Sequence, residues 1–253
     1  MGMFKRQKRK QFLTSNSENT KILHKNMDFT ATEQYKLIRA NLDFTLPADE
    51  KCPVIGVTSS TRGEGKSITA VNLSYVLAEK GSKVLLIDAD LRIPSVAKKL
   101  EIESSPGLSD LLRGNGTQTC ELKPYLLSNW FVLPSGDIPP NPSELLGSSR
   151  MENVLNQFKE IFDYIIIDLP PVNIVSDAIS ISNLITGMVV IIREEYTEKK
   201  DVERCFRQLK LSNVNILGCV MNGAKSEGGH YGKYRKYKYY KYYRYYQSDS
   251  KEK

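Results

Sequence analysis

The chain has 253 residues, 40% of them hydrophobic and 26% charged, which is enough apolar material for a sizeable core and excludes wholesale disorder. Its net charge of +7 sits at the ends: Met1 to Leu13 holds five Lys/Arg and no acid, Ser226 to Lys253 holds eight against three acids, so each end carries +5 and the stretch between them −3. A role in binding nucleic acid would have to rest on the two ends, because the body is mildly acidic, and none is expected.

No apolar run approaches the roughly 18 to 20 residues that span a bilayer, and the basic start has no apolar region behind it, which predicts a cytoplasmic chain with no membrane segment of its own. The myristoylation pattern fails at Arg6, where Ser or Thr is wanted. Cys52, Cys120, Cys205 and Cys219 are scattered, with no C-x-x-C pair and no nearby His, and read as reduced structural thiols.

In chain order, residues 1–26 are polar, basic and aperiodic: a flexible basic arm that is either solvated or touches an anionic membrane surface or a partner. An interface helix follows at about 32–44, TEQYKLIRANLDF, with Tyr35, Ile38 and Leu42 on one stripe. Its polar face carries Glu33, Lys36 and Arg39 at spacing three, either solvated or paired in series across a subunit interface. Strand and helix then alternate: strand Val54 to Thr58, helix Ile68 to Glu79, strand Val84 to Asp88, a short helix Leu108 to Leu112, strand Trp130 to Pro134, and helical stretches from Ser143. Ser149 and Glu152 suggest a capping box for a helix Met151 to Phe158. Strand Tyr164 to Asp168, a helix near Asp177 to Leu184, strand Met188 to Ile192, helix Thr197 to Lys210 and strand Ile216 to Met221 complete the pattern. Near-continuous Val/Ile/Leu runs mark strands buried on both faces, so the expected fold is α/β, with a doubly wound, mostly parallel sheet and helices on both faces, one domain over 27–225. Residues 226–253 hold nine of the fourteen tyrosines, interleaved with Lys and Arg, and no aliphatic side chain with which to pack; they read as a disordered tail serving something done to tyrosines or by them.

Between the first strand and its helix lies Ser59 to Ser67, SSTRGEGKS. A glycine-broken loop ending in Gly-Lys-Ser at a strand-to-helix junction cradles phosphate: Thr61, Gly63, Glu64, Gly65, Lys66, Ser67 and Ile68 are the nucleotide-contacting candidates, with Lys66 reaching terminal phosphates and Ser67 holding Mg²⁺. The strict pattern wants Gly where Ser60 stands. In an open parallel sheet, ligands bind at the carboxyl ends of the strands. Two further strands end there in acids, Asp88-Ala89-Asp90 and Asp168. A carboxylate closing a hydrophobic strand beside a phosphate loop is a metal-holding arrangement, and ATP beside three acids requires Mg²⁺ and Lys66 to neutralise the site, with Ser67, Asp90 and Asp168 around the metal. Arg92 either supports the segment after Asp90 or faces solvent.

Together TSSTRGEGKS, LLIDADLRIP, IIIDLPP and the terminal tyrosine cluster resemble the bacterial tyrosine kinases, specifically the cytoplasmic kinase half of split two-protein systems that control capsule and exopolysaccharide synthesis. Glu33, Lys36 and Arg39 match that family's E-x-x-R-x-x-R interface helix, with Lys for the first Arg, which keeps the charge and loses the bidentate fork. The resemblance implies a homo-oligomeric ring, protein substrates, and a membrane adaptor that recruits the chain to the inner face of the plasma membrane. Autophosphorylation in trans is then expected on Tyr231, Tyr234, Tyr237, Tyr239, Tyr240, Tyr242, Tyr243, Tyr245 and Tyr246. A tyrosine hydroxyl must lose its proton as it attacks the γ-phosphate, and Asp88 is the expected base with Asp90 assisting, the reverse assignment staying open. The related partitioning ATPases carry a second lysine five residues before the invariant one. Thr61 stands there in this chain.

Overall fold

A computed structural model describes residue 22, residues 29–114 and residues 122–224. The described elements run α1 (Phe29–Thr45), β1 (Val54–Ser59), α2 (Lys66–Glu79), β2 (Val84–Asp88), α3 (Val96–Leu100), α4 (Leu108–Arg113), β3 (Trp130–Leu133), α5 (Pro142–Leu146), α6 (Ser149–Lys159), β4 (Tyr164–Asp168), α7 (Asp177–Ser180), a 3₁₀ turn Ser182–Leu184, β5 (Gly187–Arg193), α8 (Lys199–Leu211) and β6 (Ile216–Asn222). The six strands form one parallel sheet in the order β3-β2-β4-β1-β5-β6. β1 and β4 lie side by side at the centre, and Asp88 and Asp168 are partners in register where β2 meets β4. The sheet therefore delivers the phosphate loop and both acidic strand ends to one edge.

Burial follows the strand period. Leu85, Ile87, Ile165 and Ile167 face one apolar cluster, covered by Leu112, Leu146, Leu155 and Leu209 from α4, α5, α6 and α8. Val84, Leu86 and Ile166 face the other, covered by Leu42 of α1, Leu73 and Leu77 of α2, and Leu100 of α3. Both faces are dry, which is why the strands read as unbroken aliphatic runs. Trp130 is fully buried in the second cluster, donates its indole N–H to Ser74 Oγ at 3.0 Å and meets Tyr75 and Tyr125 edge-on. Ile22, from the stretch read as an arm, is also fully buried in that cluster.

Several boundaries differ from expectation for local reasons. α2 begins at Lys66, two residues early, because Gly65 at φ 96° turns the chain directly into the helix. The cap of α6 is Ser148, whose hydroxyl accepts from Met151 N at 3.3 Å, so Ser149 is already helical and the box expected at Ser149 and Glu152 does not form. The stretch near Asp177 to Leu184 breaks into α7 and the 3₁₀ turn. Five-residue α3 was not foreseen, being too short for a periodic signal.

Candidate functional site

The phosphate loop leaves β1 and is braced internally. Ser59 Oγ donates to Thr61 O at 2.7 Å, Ser60 Oγ to Glu64 Oε1 at 2.8 Å, and Thr61 N to Glu64 Oε2 at 2.8 Å. Ser60 thus has its own work at the position where the strict pattern has glycine. Glu64 is fully buried, so of this predicted nucleotide contact only the backbone remains for a phosphate. Gly63 and Gly65 both have positive φ, at 81° and 96°.

The loop is also held from outside. Tyr196 Oη donates to Arg62 O at 3.1 Å, Arg193 Nη1 to Gly63 O at 3.0 Å, Asn222 Nδ2 to Glu64 O at 2.8 Å, and Thr197 Oγ1 to the Glu64 carboxylate. In a trans peptide the N–H points away from the C=O. With three successive carbonyls held by β5, the turn after it and β6, the N–H groups of Gly63, Glu64 and Gly65 are directed to the opposite side, which is the anion cradle. Ile68 packs its side chain into the second cluster and contributes only backbone.

At the start of α2, Lys66 Nζ lies 2.8 Å from Asp90 Oδ2, 3.4 Å from Asp168 Oδ1 and 3.3 Å from Ser67 Oγ. Burial pulls the Lys66 pKa down, but Asp168 and Asp90 outweigh it, and the ammonium is held above its ordinary value. Asp90 Oδ1 accepts from Ile93 N at 3.1 Å. Asp88 is fully buried, and its carboxylate accepts from Asp90 N at 3.2 Å, Ser95 N at 3.0 Å and Val96 N at 2.9 Å. Burial and then the Asp168 charge push its pKa up to about 7 against those hydrogen bonds. Asp168 is pushed up by its own burial, opposed by Lys66 and by the Ser67 hydroxyl.

One oxygen is left over. Asp168 Oδ2 is buried with no hydrogen-bond partner, beside the Ser67 hydroxyl that bonds the same carboxylate. Among the described residues no three His, Cys, Asp or Glu side chains gather to hold an ion by themselves. The donor set suits a hard, oxygen-seeking divalent ion that shares Ser67 and Asp168 with phosphate oxygens. Asp90, the third predicted ligand, already holds Lys66 on Oδ2 and Ile93 N on Oδ1.

Arg92 supports the segment after Asp90. Its Nε and Nη2 donate to Asp177 Oδ2 and Oδ1 at 2.8 and 3.0 Å, Asp177 is fully buried, and Ser143 Oγ bonds the same carboxylate. Sequence reasoning missed Asp177, Arg193, Tyr196, Thr197 and Asn222, whose pairings span 85 to 158 residues of chain and leave no local signal. On α1, Lys36 Nζ pairs with Glu33 at 3.0 Å and Arg39 Nη1 donates to Val76 O at 2.9 Å, so these predicted interface groups have partners within the chain. All nine predicted phosphoacceptors, Tyr231 to Tyr246, lie outside the described residues. No helix among the described residues is long and apolar enough to cross a membrane.

Comparison with known proteins agrees with this geometry. The model of the ParA family, described as an iron-transfer P-loop NTPase of the NUBPL type, matches residues 52–238. Tyrosine-protein kinase YwqD of Bacillus subtilis is 38% identical over 221 residues, covering 86% of each chain. Tyrosine-protein kinase CpsD of Streptococcus agalactiae serotype III is 36% identical over 184 residues, covering 71% of this chain and 78% of its own. The crystal structure of the chimerical protein CapA2B2 superposes with a TM-score of 0.70 at 33% identity, covering 75% of this chain and 83% of the other. A P-loop site with acid-terminated neighbouring strands, in a chain this similar to those kinases, makes the protein a member of the bacterial tyrosine-kinase family of capsule and exopolysaccharide systems, within the ParA-type P-loop NTPases.

Proposed function

We propose that the protein is an ATP- and Mg²⁺-dependent protein-tyrosine kinase that transfers the γ-phosphate to the tyrosines of residues 226–253 of a neighbouring copy. The observation that carries it is the meeting of Lys66, Ser67, Asp90 and Asp168 at one point beside an outward-braced anion loop. The loop's N–H groups orient the phosphates and Lys66 stabilises charge on the transferring group. Mg²⁺, held by Ser67 and Asp168 when bound, supplies neutralisation of the phosphate oxygens. Nucleotide drawing on Lys66 frees the carboxylate of Asp90.

The attacking hydroxyl's proton goes to Asp88, whose pKa near neutrality suits a base at operating pH. Asp90 is the second candidate, favoured because both Asp88 oxygens already accept backbone N–H groups. A membrane adaptor that activates the kinase, a ring assembled through α1, recruitment from the cytoplasm to the membrane and control of polysaccharide export complete the proposal; what supports them is membership of the family.

Radiolabelled γ-phosphate separates the kinase from the alternative that the ParA match favours, an ATPase without phosphotransfer. Full-length protein with Mg²⁺ and adaptor is expected to keep label on peptides from 226–253, and Lys66→Met to lower the rate about a hundredfold or more. Label released wholly as free phosphate establishes the ATPase instead. Asp88→Asn and Asp90→Asn identify the base: the true one loses about a hundredfold and its limb of the pH profile.

A further inference from the structure

Glu64 puts a fully buried carboxylate inside a loop built to receive anions, and such a group needs hydrogen-bond donors of its own. Two are local, Ser60 Oγ and Thr61 N, each at 2.8 Å. The third is the hydroxyl of Thr197, 133 residues away in the turn between β5 and α8. The sense of that bond is fixed. An ionised carboxylate only accepts, so the hydroxyl proton goes to Glu64, while Thr197 Oγ1 itself accepts the N–H of Arg193 at 2.9 Å.

We infer that Thr197 is a positioning residue for the phosphate loop: by satisfying Glu64 from behind, it keeps the loop's N–H groups free for the nucleotide. Without that hydroxyl, Glu64 has two donors for two oxygens at full burial and turns to the nearest others, the N–H groups of its own loop. Those are the donors a β-phosphate requires, and the lost Thr197 bond also leaves the Glu64 charge less neutralised beside the incoming anion. Arg193 at the end of β5 and Tyr196 of the same turn hold Gly63 O and Arg62 O, so this segment acts as one clasp on three consecutive residues of the loop. The inference rests on the nucleotide reading and concerns only how the site is set.

Calorimetric titration of full-length protein with ADP and Mg²⁺ tests it without requiring phosphotransfer. Thr197→Val, which keeps the shape and loses the hydroxyl, is expected to bind about tenfold more weakly, and Thr197→Ser within about twofold of wild type. In a γ-phosphate assay the Val variant raises KM for ATP with kcat little changed. In a Glu64→Gln background the Val substitution adds less than about twofold, because the charge it served is gone. Thr197→Ala takes the place of Val if that variant does not fold. Thr197→Val binding within about twofold of wild type, or Thr197→Ser binding as weakly as Val, overturns the inference. Wild-type protein that binds no ADP overturns the nucleotide reading as well.

Discussion

At the scale of the residue, the two loop glycines are not equivalent. A Cβ on Gly65 would lie 2.0 Å from Asn222 Nδ2, an amide that cannot swing aside without releasing Glu64 O. A Cβ on Gly63 would lie 2.9 Å from Tyr196 Oη, on a side chain 53% exposed that can turn outward by giving up its bond to Arg62 O. Both positions also carry the strain of positive φ, about 1 kcal/mol for an alanine. Gly65→Ala is therefore expected to abolish measurable ADP binding by calorimetry, and Gly63→Ala to weaken it several-fold. The cysteines give a second test. Burial pushes the Cys52 thiol up to about 11 and the Cys205 thiol up to about 12. The thiolate is the reactive form, and at pH 8 it amounts to about one part in a thousand for Cys52 and one in ten thousand for Cys205. Iodoacetamide on native protein at pH 8, read by peptide mass spectrometry, is expected to spare both while it modifies exposed Cys219. Raising the pH toward 11 brings Cys52 into reach before Cys205.

At the scale of the element, β3 at the sheet edge depends on one side chain. Trp130 joins it to α2 through Ser74 and fills the space between Tyr75 and Tyr125. Trp130→Ala removes a fully buried ring and is expected to cost about 3–5 kcal/mol, lowering Tm by roughly 10 °C in a domain of this size. Trp130→Phe keeps most of the contact and loses only the bond to Ser74, for about 1 kcal/mol. Thermal unfolding followed by circular dichroism orders the variants, and equal Tm for the two would show that the ring volume contributes nothing. α1 shows a different balance. Its inner stripe buries Leu42, while Phe29, Leu37 and Phe44 stay exposed, and Glu33, Lys36 and Arg39 are already partnered within the chain. A ring through this helix must exchange those bonds for others across the interface.

At the scale of the molecule, charge is the coupling between the two ends of the proposed reaction. Residues 226–253 carry +5 before modification. Each phosphotyrosine adds roughly −1.5 to −2, so four of them bring the segment to about −1 to −3. The proposed attraction of this segment to the acidic mouth of a neighbouring site is then expected to turn to repulsion. Changing all nine tyrosines between 231 and 246 to Phe is expected to leave ADP binding unaltered and remove the label. Native mass measurements before and after incubation with ATP should show assemblies of wild type dissociating and those of the Phe variant persisting; equal dissociation of both would sink the charge switch.

The sequence by itself determined whatever depends on neighbours along the chain. Aliphatic runs with β-then-α order specified a parallel sheet covered on both faces, because a strand buried twice has no polar side to alternate. Gly-Lys-Ser after a strand, and acids closing two later strands, specified a phosphate site at one sheet edge, because loop conformation and strand ends are local properties. Only the tertiary structure decided how that site is held. That Arg92 lies on Asp177, and that Thr197 and Asn222 support the loop from more than 130 residues away, depend on hydrogen bonds between distant segments. Such bonds require donor and acceptor within about 3 Å, and it is strand order, β1 lying between β4 and β5, that brings them there.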